Sequence, residues 1–390
     1  MRWARKRAGL TVEVLAMRWR KYPQWESGEA SPTPRQLEAL AQRTHTPLGF
    51  FFIPWAPSDE LEIADFRTPE GKRPVTPSMG LLETVHLCRL RQQWYHEQAL
   101  LKRSKPLKFV GCMQPTDAVV NVAESIRTTV KLQPQGCADA EDAELALETM
   151  IGHVEAAGIM VMRGGGAAVV AAPGIEDPEF RGMALSDAHA PLIYLDARDA
   201  AAAQIFTLAH ELAHLWLGIS GISNPHDTLV ADGRVIEAFC NRVAAEALVP
   251  LSAFRDAWDM NETLERECAR LAEVFCVSTP IILRRAYDAG FLEGDTFHAV
   301  YQKAAESVNR AEIIRGVSGK PLTPLQRVGR RFGEAVAAEV QAHKVDEHEA
   351  MALLSACTPE EVWTVGGSHD EWVDADLGDE VPAYAHLVGR

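Results

Sequence analysis

Two histidines and a glutamate lie close together in the segment FTLAHELAHLWLG. His210, Glu211 and His214 form the pattern HExxH. Successive residues of a helix are rotated by about 100°, so His210 and His214 lie only about 40° apart and both imidazoles can reach one ion. This pattern is typical of zinc hydrolases, in which the glutamate acts as a general base. The sequence therefore predicts a zinc site with His210 and His214 as ligands and Glu211 as the catalytic base.

A strand followed by a helix positions these residues. The runs GIMVM and PLIYLDA are short, apolar and β-branched, which predicts two strands, and EFRGMALSD between them adds a third. The alanine-rich segment that follows predicts a helix that ends at Gly218. Its leucines supply a buried face, so we expect its polar edge to face a cleft.

A second helix, VIEAFCNRVAAEALVP, offers the third ligand. Glu237 and Asn241 are four residues apart and share a face, which suits a ligand and a neighbour that holds a histidine in place. Glu246 lies nine residues beyond Glu237, about half a turn away, so one straight helix cannot aim both carboxylates at one ion. The alternative is that His210 and His214 are core histidines and Glu211 is a surface charge.

Hydrolysis of a carbonyl substrate at such a site would also require a donor to the developing oxyanion. Four cationic or imidazole side chains could supply it, and the sequence does not rank them: Arg181, His226, Arg234 and Arg242.

The first fifty residues are basic, while the rest of the chain is acidic. Residues 1–50 carry nine basic and four acidic groups, whereas the whole chain has a net charge of −15. An acidic body repels phosphate, so we expect any DNA contact to be confined to this basic region, through Arg18, Arg20 and Lys21. A basic, solvated region without a partner is the alternative.

The same region resembles the helix-turn-helix domain of XRE-type (Cro/repressor-like) regulators. The similar segments are RKRAGLTVEVLA and WESGEASPTPRQLEALAQ. The segment MRWRKYPQ between them is shorter than in that family and contains Pro23, which predicts a truncated or distorted recognition helix. We therefore expect weak, salt-sensitive DNA binding with little sequence preference.

The central segments resemble the ImmA/IrrE family of zinc metallopeptidases. The similar stretches run from FRGMALSD through the HExxH helix to VIEAFCNRVAAEALVP, with ADFRT and LQRVGRRFGEAVAAEVQAHKVDEHEAMALL outside them. The resemblance implies His210, His214 and Glu237 as zinc ligands and Glu211 as the base. Family members are bacterial or phage-borne, and several cleave a repressor and so switch on stress or mobile-element genes.

These observations predict an α+β, mostly helical protein. We expect a helix-turn-helix-like domain over residues 1–56, a linker and connecting helix over 57–110, and a zincin-like peptidase domain with a small sheet over 111–255. A helical region over 256–365 and an acidic, disordered tail over 366–390 follow, and a partner-binding acidic arm is the alternative for that tail. The predicted function is a zinc-dependent endopeptidase that cleaves a repressor or antitoxin partner. The rivals are a DNA-binding regulator or antitoxin with a non-proteolytic zinc fold, and a module that neutralises a toxin.

Composition excludes several classes. An apolar fraction of 47% and a charged fraction of 24% are those of a globular protein rather than a disordered or fibrous one. Charges break every apolar stretch before the ~18 to 20 residues that a membrane crossing requires. The seven cysteines are scattered and form no CxxC pair, so they predict neither a disulfide framework nor a thiolate zinc site. We therefore expect a cytoplasmic protein.

Overall fold

The computed structural model describes residues 1–44, 46, 51, 63–66, 77–132, 140–164, 180–224, 235–315 and 322–355. Over these ranges the protein has the predicted α+β, mostly helical fold. The helices are α1 (Arg2–Arg7), α2 (Val12–Arg18), α3 (Tyr22–Ser27), α4 (Pro34–Arg43), α5 (Met79–Leu101), α6 (Val119–Val130), α7 (Ala140–Ala156), α8 (Ala201–Leu217), α9 (Val235–Leu248), α10 (Leu251–Ala257), α11 (Leu264–Phe275), α12 (Thr279–Asp288), α13 (Gly294–Arg315), α14 (Pro324–Val328), α15 (Arg330–Gln341) and α16 (Glu347–Leu354). The strands are β1 (Ala64–Asp65), β2 (Met160–Gly164), β3 (Gly182–Leu185), β4 (Leu192–Asp196) and β5 (Gly221–Ser223).

The first four helices form a small cluster of their own. The Thr11 hydroxyl accepts a hydrogen bond from the backbone of α2, and Thr33 and Gln36 form the predicted capping box of α4. Leucine and aromatic side chains close the core of the cluster: Leu15, Tyr22, Trp25 and Leu40. The caps therefore define where these helices begin, and the apolar residues hold them together.

Helix α3 is short, but Pro23 does not distort it. The proline lies in the first turn, with Lys21 as the N-cap. A proline is tolerated there because the first backbone N–H groups of a helix have no partner within it. Trp19, Arg20 and Lys21 form the turn that joins α2 to α3.

A mixed sheet lies at the centre of the larger body. Its strand order is β1-β5-β3-β4-β2. Strand β3 runs antiparallel to β4 and β5, whereas β2 is parallel to β4 and β1 is parallel to β5. The segment EFRGMALSD thus contributes the third strand that the sequence predicts.

Helices cover both faces of this sheet. Alternate residues of a strand point to opposite faces, and both sets are apolar in β4: Ile193 and Leu195 belong to one core cluster, Leu192 and Tyr194 to the other. The first cluster contains residues of α6 to α13, and the second contains residues of α5 and of α14 to α16. On the first side α7 and α8 pack directly on the sheet, and on the second α5, α14 and α15 do so.

Helix α8 belongs to the first of these core clusters and ends at Gly218. This glycine has a φ of 71°, a left-handed conformation that suits the predicted C-cap. The polar edge of α8, which we expected to face a cleft, carries His210, Glu211 and His214, and all three side chains are completely buried. The helix is enclosed by the sheet on one side and by other helices on the rest of its surface.

Sequence-based predictions also cover the cysteines, the acidic C-terminal segment and the possibility of a membrane-spanning helix. Cys88, Cys112, Cys240 and Cys268 are free thiols, whereas Cys276 is disulfide-bonded, which the sequence did not predict. The acidic segment 366–390 also lies outside those ranges. None of the helices described combines the length and the apolar character that a bilayer crossing requires.

Candidate metal centre

The two histidines of α8 lie side by side beneath the sheet. Their Nε2 atoms are 3.1 Å apart, and both side chains are fully buried. The spacing of four residues places the rings on one face, as the helical period requires.

Glu237 reaches the same point from α9. Its Oε1 lies 3.0 Å from Nε2 of His214, and its Oε2 lies 3.4 Å from Nε2 of His210. One ligand atom from each of these three residues lies within 4.8 Å of the others, so the group could hold a metal ion. Burial alone would raise the pKa of Glu237, but the imidazoles outweigh it and hold the pKa at about 2. The carboxylate is therefore in the charged form that a cation needs.

Asn241 lies one turn beyond Glu237 on α9. Its Oδ1 is 2.8 Å from Nδ1 of His210. An Nδ1–H that donates to this amide oxygen leaves the Nε2 lone pair directed towards Glu237 and His214. The amide thus fixes both the ring orientation and the tautomer of His210.

Glu211 lies beside this group without joining it. Both of its carboxylate oxygens are buried and make no hydrogen bond of normal geometry with a described residue, although the Ser223 hydroxyl is close enough to lower the pKa of the carboxyl. Burial raises the pKa of Glu211 to about 8, although the neighbouring His210 opposes the shift. Burying a carboxyl that makes no hydrogen bond costs free energy, so the packing around Glu211 has to offset that cost.

A glycine on β3 makes room for this carboxyl. A Cβ atom at Gly182 would lie 2.5 Å from Oε1 of Glu211 and 2.6 Å from Cγ2 of Thr207. Any larger residue at position 182 would therefore push Glu211 out of its place.

Glu246 points away from the group. It forms an ion pair with Arg285 of α12, and its carboxylate also accepts a hydrogen bond from the backbone of Leu251. The half-turn between Glu237 and Glu246 thus separates the two carboxylates as the helical period predicts.

The family comparison applies to the segment that contains this group. Residues 168–287 match the family model Peptidase_M78, described as the IrrE N-terminal-like domain. This segment is similar to the IrrE N-terminal-like domain. The match supports the resemblance to the ImmA/IrrE family and a metallopeptidase-type function. It covers less than a third of the chain, and no curated protein shows a significant match.

The four oxyanion-donor candidates also lie within the IrrE-like segment, and two of them can be placed. The Arg181 guanidinium forms a buried ion pair with Asp199 at 2.7 Å. The Arg242 guanidinium lies 5.9 Å from the centre of the Phe239 ring. His226 and Arg234 lie outside the described residues.

Three further residues touch the group, and sequence reasoning missed all of them. Besides Gly182, the Ser223 hydroxyl lies 3.4 Å from Nε2 of His214, and the Phe66 ring stacks on the His214 ring. Phe66 comes from the segment ADFRT, far outside the IrrE-like segment. ADFRT and FRGMALSD were both recognised as segments similar to the ImmA/IrrE family. Phenylalanine and glycine are not residue types that bind metal or transfer protons, so nothing in the sequence placed Phe66 or Gly182 at the site.

The residues predicted to contact DNA lie elsewhere in the chain. Arg18, Arg20 and Lys21 are all exposed, at the end of α2 and in the turn that follows it. The Arg18 guanidinium lies 5.1 Å from the centre of the Trp19 ring. The three cations therefore form a small basic surface.

Proposed function

We propose that the protein is a zinc-dependent endopeptidase. The observation that carries the proposal is the convergence of His210, His214 and Glu237, with the buried Glu211 carboxyl beside them. Two imidazole nitrogens and one carboxylate oxygen are a donor set that zinc hydrolases use, and this set leaves a fourth position open. The similarity of residues 168–287 to a peptidase family supports the same reading.

The proposed ligands are His210, His214 and Glu237, and Asn241 holds His210. Zinc bound there supplies Lewis acidity, which polarises a carbonyl and makes water a better nucleophile at neutral pH. The hydrogen bond between Asn241 and His210 keeps the imidazole aimed, so less ordering is needed when the metal binds.

Glu211 is the proposed general base. It follows His210 directly in the sequence but is not part of the ligand group, so its carboxylate is free to take a proton from water and pass it to the leaving amine. The pKa of this carboxyl falls when a cation lies beside it, which favours the ionised form that accepts the proton. A purely structural metal site would have no use for such a buried acid.

The proposed substrate is a regulatory protein of the repressor or antitoxin type in a bacterial or phage circuit. Support comes from the resemblance to the ImmA/IrrE family and from the arrangement of α2, a three-residue turn and α3 in the basic N-terminal region. The exposed Arg18, Arg20 and Lys21 would give that region weak contact with DNA phosphates.

A proteomic comparison tests this function. Cells that express the native chain are compared with cells that express Glu211→Gln, which keeps the shape of the side chain but cannot act as a base. We expect at least one regulatory protein to be shortened only with the native chain. If both cell populations have the same set of protein termini, although both chains carry zinc, the protein is not an endopeptidase under those conditions and the proposal fails.

A further inference from the structure

The metal-binding group is closed to solvent. His210, Glu211, His214 and Glu237 each have a relative exposure of 0%. A peptide bond can reach the Glu211 carboxyl only if some neighbouring part of the chain moves.

A short strand from outside the IrrE-like segment covers the group on one side. Ala64 lies opposite Gly221 and Asp65 opposite Ile222, so β1 is the edge strand beside β5. The next residue, Phe66, donates its backbone N–H to the carbonyl of Ile222 at 2.9 Å. Residues 64–66 are called the cover strand below.

The Phe66 ring of the cover strand contacts the metal-binding group at His214. The ring centres of Phe66 and His214 are 5.4 Å apart, with an angle of 24° between the planes. A Cβ atom at Gly221 would lie 2.3 Å from Cε2 of Phe66, so the glycine is what lets the ring lie against β5. The ring is therefore fitted between a strand backbone and a proposed metal ligand.

Over the part of the chain that the structure describes, the backbone pairing of the cover strand is short. Its ladder with β5 spans two described residues, whereas the ladder between β2 and β4 at the other edge spans five. An edge strand offers its N–H and C=O groups to any extended chain that comes close, and short edge strands are the ones most readily exchanged. Because β5 ends beside His214, a chain that pairs with β5 would lie next to the metal-binding group.

We propose that the cover strand is displaceable: Phe66 shields the His214 side of the metal centre, and an extended segment of the protein substrate replaces the cover strand on β5 before cleavage. The second half rests on the proposed peptidase function, whereas the first half concerns only access to the metal.

Zinc exchange tests the first half without any substrate. In Phe66→Ala, both the uptake of zinc and its loss to a chelator should accelerate at least fivefold, while the Kd changes less than twofold, because a cover slows entry and exit alike. If only the loss accelerates and the Kd weakens in proportion, Phe66 merely holds His214, and the proposal is overturned. Unchanged exchange in both directions also overturns it.

A matched control is available on the same helix. The Phe109 ring stacks on Trp216 with ring centres 4.6 Å apart, and Trp216 lies two residues beyond His214. Phe109→Ala thus removes a stacked ring from α8 on a different face. Its zinc exchange should match that of the native chain, and faster exchange in both variants would mean that general loosening of α8 explains the effect.

A second variant displaces the ring without deleting it. Gly221→Ala places a methyl group where Phe66 now lies, so its zinc exchange should accelerate in both directions as well. Circular dichroism shows whether this variant folds. A folded Gly221→Ala with native exchange rates contradicts the proposal. If Gly221→Ala does not fold, the zinc exchange rates of Phe66→Ala alone test the proposal.

Cleavage of the substrate found by the proteomic comparison tests the second half. Phe66→Ala should cleave it with a KM at least threefold lower, because the substrate no longer has to displace a bound strand. Faster zinc exchange with an unchanged or higher KM would overturn displacement by substrate. If zinc exchange is faster but no variant cleaves the substrate, the shielding role of Phe66 is supported and the proposed peptidase function is rejected.

Discussion

At the scale of single residues, the rotation of α9 favours Glu237 over Glu246 as the proposed third ligand. Glu237 faces the two histidines, whereas Glu246 pairs with Arg285 on the far side of the helix. Glu237→Gln should therefore weaken zinc binding by about a hundredfold or more, since even indirect partners of a ligand contribute about 10- to 100-fold. Calorimetric or competition titration with zinc measures this change.

Glu246→Gln is the control for that substitution. It removes a carboxylate from the same helix, so its stability should fall, because Arg285 loses a buried partner, while its zinc affinity stays native. The reverse result, with zinc lost only in Glu246→Gln, would assign the third ligand to Glu246.

Gly182 allows a test of how closely Glu211 must be placed. Gly182→Ala puts a methyl group within 2.5 Å of the Glu211 carboxylate and should lower kcat about a hundredfold, while zinc content stays native. Gly152→Ala, where the added Cβ meets nothing within 4 Å, should retain full activity. Native kcat in Gly182→Ala would mean that the observed position of Glu211 is not the catalytic one.

At the scale of elements, α15 packs against α7 through a buried acid. Glu155 is 8% exposed, and one of its oxygens accepts a hydrogen bond from the backbone N–H of Arg331. Burial raises the pKa of Glu155 to about 7, although Arg330 and Arg331 oppose the shift and Glu334 adds to it. The folded state therefore holds a proton that the unfolded state has already lost between about pH 4.5 and pH 7.

This proton linkage gives stability a definite pH dependence. The contribution of Glu155 is fully present below about pH 4.5 and is lost as pH rises through about 7, since the folded state binds more protons in that window. Glu155→Gln should thus be more stable than the native chain by about 1–3 kcal/mol at pH 8 and no more stable at pH 4.5. Denaturant unfolding at the two pH values measures the difference. Exposed Glu334→Gln should show a much smaller pH effect, and equal effects in both variants would contradict the assignment to Glu155.

The turn between α2 and α3 should make the N-terminal region a weak DNA binder. Replacing Arg18, Arg20 and Lys21 by glutamine should lower affinity about tenfold or more at low salt and reduce the salt dependence, because fewer counterions are released. Arg35→Gln, an exposed charge on α4, should have a smaller effect. Fluorescence anisotropy with random and palindromic duplexes measures both, and nanomolar binding to one palindrome at physiological salt would contradict weak, unspecific contact.

At the scale of the whole molecule, the sequence predicts what helical periodicity controls. The separation of Glu237 from Glu246, the alignment of His210 with His214 and the cap at Gly218 all depend on neighbours within one helix, so spacing alone was enough. The α+β fold followed from the strand runs on either side of β3.

Contacts between distant segments could not be predicted in this way. Phe66 reaches His214 only because β1 joins the sheet beside β5. Gly182 and Gly221 matter because the side chains of Glu211 and Phe66 occupy the space that a Cβ atom would need. The complete burial of the polar edge of α8 has the same origin, since helices and sheet from several parts of the chain enclose it. Contacts between segments that are far apart in the chain leave no periodic pattern in the sequence of either segment.

The zinc content of the purified protein tests the central claim most directly. After dialysis against zinc and then against metal-free buffer, elemental analysis should find about one zinc per chain in the native protein and in Glu211→Gln, because Glu211 is not a ligand. The double variant His210→Ala, His214→Ala should hold none. A native protein that takes up no transition metal under these conditions would contradict the account.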